Sequence, residues 1–189
     1  MEGASITQSS LGVGMKQFFL SFLEVFEILA VVIISIIVIY RFIAQPFLVQ
    51  GASMEPNFRT GDYLLVDETT YYFREPLRGE VIVFKNPNNT AEYYIKRIIA
   101  LPGEEVVVSD GKIAIDGEVL EEQYLPNGIS VNGRYVFQLD ESEYFVMGDN
   151  RPQSFDSRNW GPLGEKLIVG IVRLRFWPPA AFGSFAYEN

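Results

Sequence analysis

Apolar and polar positions change rhythm once along this chain, near residue 44. Before it, residues 28–40 read ILAVVIISIIVIY, apolar throughout except for Ser35. No polar stripe is left for a surface helix to turn towards water. At ~1.5 Å per residue this run alone is too short for a ~30 Å hydrocarbon core. Adding residues 22–27 and 41–43 supplies the length and sets Glu24, Glu27 and Arg41 near the interfaces. A buried core helix would show a single apolar stripe. A cleavable secretion signal would carry a positive flank and a small-x-small site, whereas Glu24 and Glu27 precede this run and RFIAQPF follows it. The pattern predicts an N-terminal tail over residues 1–21 and one uncleaved transmembrane anchor over residues 22–43.

From residue 44 onward the apolar positions come in short runs rich in β-branched and aromatic residues. DYLLVDE, GEVIVFK, EYYIKRIIAL, EEVVVSDGKIAIDGEVL, RYVFQL, EYFVMGD and LIVGIVRLRFW all read as strands. Asp110-Gly111 and Asp116-Gly117 are hairpin turns of the primed type. Pro56, Pro76, Pro87, Pro102 and Pro126 mark loops, and no amphipathic helix of useful length follows residue 44. The expected fold is mainly β: an antiparallel domain over residues 44–189, barrel-like or built of two packed sheets, preceded by one transmembrane helix.

Composition narrows the chemistry. Of 189 residues, 48% are apolar, enough for a real core, and the net charge of −9 argues against nucleic-acid binding. The absence of cysteine removes disulfides and thiol catalysis. The absence of histidine removes the Ser-His-Asp triad and any imidazole zinc site, which leaves Lys, Asp, Glu or Tyr to move protons. Lys16 and Arg41 flank the anchor on opposite sides, so the positive-inside rule hardly votes on orientation. Residues 44–189 carry 13 basic and 21 acidic side chains, a net of −8 that suits a domain exported from the cytoplasm.

Three segments could carry chemistry. Residues 49–62, VQGASMEPNFRTGD, put Ser53 in a turn-rich loop, an ordinary place for a serine. In residues 91–104, AEYYIKRIIALPGE, strand alternation groups Lys96 with Tyr94, Ile98 and Ala100, and Arg97 with Tyr93, Ile95 and Ile99. Two readings stay open. Either this is an edge strand whose cations snorkel to water, or it is covered on both sides and Lys96 is desolvated. Burial lowers a lysine pKa from ~10.4 towards neutrality, and the neutral amine can take a proton from a serine hydroxyl. Residues 147–164, MGDNRPQSFDSRNWGPLG, read as a solvated loop or as a rigid one in which Asp149, Asp156, Arg151 and Arg158 pair. The glycine and glutamate spacing of a calcium loop is missing there. The NNT of residues 88–90 is a glycosylation sequon of a kind common by chance.

Taken in order, GASMEPNFRTGDYLLVDE, RGEVIVF, YIKRIIALPGE, GDNRPQSFDSRNWGPL and RFWPPAAFG resemble the bacterial type I signal peptidases of the compact, single-anchor kind. These are membrane-anchored Ser-Lys endopeptidases that remove signal peptides from exported preproteins. The resemblance implies Ser53 as nucleophile, Lys96 as general base and Ser154 as the hydroxyl that orients the lysine amine. It implies Asp156, Arg158, Asp149 and Arg97 as polar braces, and Phe47, Val49, Tyr94 and Ile95 as walls of pockets for small side chains. It also implies a catalytic domain on the extracytoplasmic side of the cell membrane, with its site close to the membrane surface. The partners would be preproteins and lipid, with no nucleic acid, metal or cofactor. Some members place a serine two residues before the nucleophile to bind the oxyanion. Here that position is Gly51, as in other members, so backbone N–H groups, including that of Ser53, must serve. A self-cleaving repressor-type Ser-Lys peptidase would need a DNA-binding domain where the anchor stands. An anchored β domain that only binds partners is the reading from another class.

Overall fold

The structure, a computed structural model, describes residues 5–42, 44–126, 129–131 and 133–185. The chain divides into two compact units, Met1–Ile43 and Ala44–Asn189. The first is one helix, α1 (Ser5–Phe42), so residues 5–21 of the expected tail are helical as well. Its stretch Lys16–Val38 has a mean hydropathy of 2.5 and is nowhere buried by protein. Phe18, Phe19, Leu20 and Ile28 all stand exposed, and at ~100° per residue they project all round the helix. A helix satisfies its own backbone groups, so a span of this length and composition is suited to hydrocarbon.

The second unit is antiparallel β throughout. Its strands are β1 (Ala44–Leu48), β2 (Tyr63–Asp67), β3 (Val81–Asn86), β4 (Asn89–Ala100), β5 (Glu105–Ser109) and β6 (Lys112–Ile115). Then come β7 (Glu118–Val119), β8 (Tyr135–Gln138), β9 (Glu143–Met147), β10 (Leu163–Gly164), β11 (Ile168–Trp177) and β12 (Gly183–Ser184). A single turn of helix, α2 (Ser157–Trp160), lies between β9 and β10. The larger sheet runs β1-β2-β11-β3-β4-β9-β10, with β12 on β11, and the smaller runs β7-β6-β5-β8. Of the two expected architectures this is the pair of sheets, and neither closes into a barrel among the described residues.

Three apolar clusters hold it together. Val106, Val108, Ile113 and Ile115 of the smaller sheet pack on Ile99, Ala100, Phe145 and Met147 of the larger. β3 is buried on both faces: Val81 and Val83 join Met54, Phe58 and Val66, whereas Ile82 and Phe84 join Ile98, Val146 and Leu163. Strand alternation dictates that division. Both hairpin turns form as expected. Asp110 and Gly111 have φ of 51° and 79°, and Asp116 and Gly117 have 50° and 83°, the left-handed pairs that primed turns require.

Two details of β4 and β1 position the site. β4 is exposed over its first residues and buried from Lys96 on, and from Arg97 it runs between β3 and β9. It is therefore neither a simple edge strand nor one covered along its length. A bulge against β9 falls between Ile98 and Ala100, which moves Ala100 into the cluster of Ile99 and off the Lys96 face expected from strict alternation. β1 carried no strand signal because Pro46 interrupts it. Proline is tolerated there because β1 is an edge strand, paired only with β2.

Candidate active site

Ser53 stands in the loop between β1 and β2. The loop is closed at its base by Val49 N–H donating to Asp62 O at 2.9 Å and Gly61 N–H to Val49 O at 3.0 Å. Thr60 Oγ1 staples Gly51, accepting from its N–H at 3.0 Å and donating to its carbonyl at 3.1 Å. Gly51 has φ +94°, where a side chain would be strained. Met54 and Phe58 are sunk into the core as anchors, leaving Ser53 half-buried between them and solvent.

Lys96, on β4, is only 4% exposed. Its Nζ donates to Ser53 Oγ at 2.8 Å and to its neighbour's carbonyl, Ile95 O, at 2.9 Å, and lies 5.5 Å from the Tyr94 ring centre. Burial lowers its pKa to about 8, against the opposing pull of the Asp156 and Asp149 carboxylates. A useful fraction of the amine is therefore neutral near physiological pH. Its lone pair then sits within proton-transfer reach of a serine hydroxyl.

The loop after β9 is braced rather than solvated. Asp149, fully buried, takes a two-pronged contact from Arg97, Nε to Oδ1 at 2.8 Å and Nη2 to Oδ2 at 2.7 Å. Asp156, equally buried, receives Arg158 Nε at 2.8 Å and Gly148 N–H at 3.0 Å, and caps α2 with its side chain. Bidentate guanidinium–carboxylate geometry fixes orientation as well as distance. Three partners were invisible in the sequence pattern. Asn57 Nδ2 donates to Asp149 Oδ2 at 2.8 Å, and the Tyr124 ring lies 4.0 Å from the Arg97 guanidinium. Glu122 receives Arg151, one of its two contacts being Nη1 to Oε2 at 2.6 Å.

Phe47, Val49, Tyr94 and Ile95 line one cavity of about 370 Å³ together with Ser53, Lys96, Leu64 and Val83. Ser154 is placed differently from expectation. Its Oγ is buried beside Gly148 and has no hydrogen-bond partner among the described residues, so Lys96 is held by Ser53 and Ile95 O instead. A Cβ on Gly148 would come within 2.3 Å of both Ser154 Oγ and Ser53 O. Glycine is what allows this loop to approach the serine so closely. Among the described residues no cluster of acidic side chains is arranged to hold a metal.

Residues 22–177 match the family described as signal peptidase, peptidase S26. The chain is 35% identical over 172 residues to a probable signal peptidase I-2 of Synechocystis, covering 86% of this chain and 77% of that one. It is 34% identical over 168 residues to signal peptidase I T of Bacillus subtilis, covering 84% and 86%. A crystal structure of a signal peptidase I from Enterococcus faecalis is 31% identical, with a TM-score of 0.46 over 52% of this chain and 97% of that one.

Proposed function

We propose, since the chain belongs to the signal peptidase family, peptidase S26, that Ser53 and Lys96 are the nucleophile and general base with which it removes signal peptides from exported preproteins. The observation that carries this reading is the 2.8 Å contact between Ser53 Oγ and a desolvated Lys96 amine. The first 43 residues contain the anchor, at residues 22–43, and residues 44–189 form the peptidase domain, on the extracytoplasmic side where preproteins emerge. Its net charge of −8 suits a segment carried across a membrane.

The mechanism follows from the cavity. β1 and the exposed half of β4 each have a free main-chain edge, and both contribute its walls. The extended end of a signal peptide pairs along such an edge and turns alternate side chains into shallow apolar pockets. Neutral Lys96 takes the Ser53 proton as Oγ attacks the carbonyl carbon. The oxyanion is received by backbone N–H groups, that of Ser53 among them. Lys96 then gives its proton to the leaving amine, so the mature protein departs and the signal peptide stays esterified to Ser53. Water, deprotonated by Lys96, hydrolyses the ester. Arg97, Asp149, Asp156 and Arg158 hold the two loops in register. Ser154 supplies a buried hydroxyl beside the nucleophile loop.

Activity should rise with pH. Below about 8 the Lys96 amine is protonated and cannot act as base, so the rate falls about tenfold per pH unit on the acid side and levels off above. Initial rates of the detergent-solubilised chain on a preprotein, taken from mildly acidic to alkaline pH, measure this limb. A flat profile would remove Lys96 from the chemistry. Cleavage should also require small residues at the first and third positions before the scissile bond, because Phe47, Val49, Tyr94 and Ile95 leave little depth. A peptide series settles that point: Ala at the first position should outpace Leu by about 100-fold or more, and equal rates would contradict the pocket assignment.

A further inference from the structure

The loop after β9 reaches the nucleophile through one side chain that the mechanism above does not use. Asn150 Nδ2 donates to Ala52 O at 3.0 Å, with a second, longer contact to Gln153 Oε1 at 3.3 Å. The backbone N–H of the same residue donates to Ser53 O at 3.0 Å. The carbonyls on either side of the Ser53 Cα are thus both held by Asn150, across nearly a hundred residues of sequence. The Ala52–Ser53 peptide is planar and trans, so its C=O and N–H point in opposite directions. Fixing Ala52 O on Asn150 therefore aims the Ser53 N–H away from the loop. That N–H donates to no acceptor among the described residues. Ala52 O also accepts from Glu55 N–H at 3.2 Å, and a carbonyl that accepts two hydrogen bonds polarises the N–H of its own peptide.

We infer that Asn150 is a positioning residue for the oxyanion site: through Ala52 O it sets the direction and strength of the Ser53 N–H. It rests on the reading of Ser53 as nucleophile and adds a role that acts in the transition state. Gly51 offers no hydroxyl to help, so the orientation of this one amide carries more weight here. Loss of Asn150 should then lower kcat and leave ground-state binding and the Lys96 limb nearly unchanged, because none of its contacts touches Lys96.

The test compares the full-length chain with Asn150→Ala and Asn150→Asp. Aspartate keeps the shape and the backbone bond to Ser53 O but has no N–H to give Ala52 O. The substrate is a preprotein-derived peptide, and the transition-state probe is a peptide boronate ending in alanine. Its boron bonds to Ser53 Oγ as the proton passes to Lys96, leaving a tetrahedral anion whose hydroxyl occupies the oxyanion position. Both variants should lose about 10–100-fold in kcat, less than removal of a direct oxyanion donor. In both variants KM should stay within about threefold and boronate affinity should fall in step with kcat. The pH limb should not move in Asn150→Ala, which adds no charge, whereas the new carboxylate of Asn150→Asp should move it upward. Wild-type kcat in Asn150→Asp would overturn the inference. So would a kcat loss in Asn150→Ala accompanied by a shifted limb and unchanged boronate affinity. A wild-type chain that turns over the peptide but forms no boronate adduct at Ser53 would instead overturn the dyad, and this role with it.

Discussion

Replacing Ser53 or Lys96 by alanine is expected to lower kcat by about 10⁴-fold or more while the folded domain persists. The hydroxyl and the amine are 2.8 Å apart and act as one unit, so the double variant should be scarcely worse than either single one. Lys96→Arg should fail equally. A guanidinium keeps its proton at every pH the enzyme meets and cannot serve as base, although it preserves charge and most of the length. Stability should change little, since burying an ammonium or its neutral amine is itself unfavourable and Ser53 remains half-buried. The check is the rate on a preprotein, with thermal unfolding recorded on the same samples. Substantial turnover by purified Lys96→Arg would refute the base assignment.

Breaking the Arg97–Asp149 pair should produce the largest loss of stability of any single change at the site. The side chains are 5% and 0% exposed, so Asp149→Ala takes a two-pronged carboxylate contact away from a buried guanidinium. Removing one partner of such a pair costs about 3–5 kcal/mol, or roughly 6–20 °C of melting temperature for a chain of this size. The loss spreads, because Asn57 also donates to Asp149 and the Tyr124 ring covers Arg97. The gentler Asp149→Asn keeps the shape and tests electrostatics instead. Asp149 raises the Lys96 pKa, so removing its charge should move the rising limb of the pH profile to lower pH. A melting temperature unchanged in Asp149→Ala, or a limb moved upward in Asp149→Asn, would contradict this account of the bracing.

The sequence carried the strand-rich architecture because β-branched runs, Asp-Gly turns and an all-apolar first segment are local signals. Lys96 and Ser53 were legible for a different reason. With histidine missing, few side chains could serve as base, and the ordered motifs of a known family pointed to one of them. What stayed hidden depends on contacts between distant segments. Nothing local marks Asn57, Glu122 or Asn150, whose partners lie 92, 29 and 98 residues away. Ser154 shows the converse limit: the family motif names the residue, and its buried Oγ has no hydrogen bond among the described residues. Nor does alternation foresee the bulge in β4 that turns Ala100 from the Lys96 face.

The central claim, that a signal peptide is transferred to Ser53, is tested most directly by trapping the ester. The full-length chain is mixed with a short-lived excess of a peptide ester ending in alanine, quenched in acid within the first turnovers and digested for mass spectrometry. The account predicts the acyl mass on the peptide that contains Ser53, absent from Ser53→Ala and from Lys96→Ala. Product formed with no adduct on Ser53, or an adduct on another side chain, would contradict it.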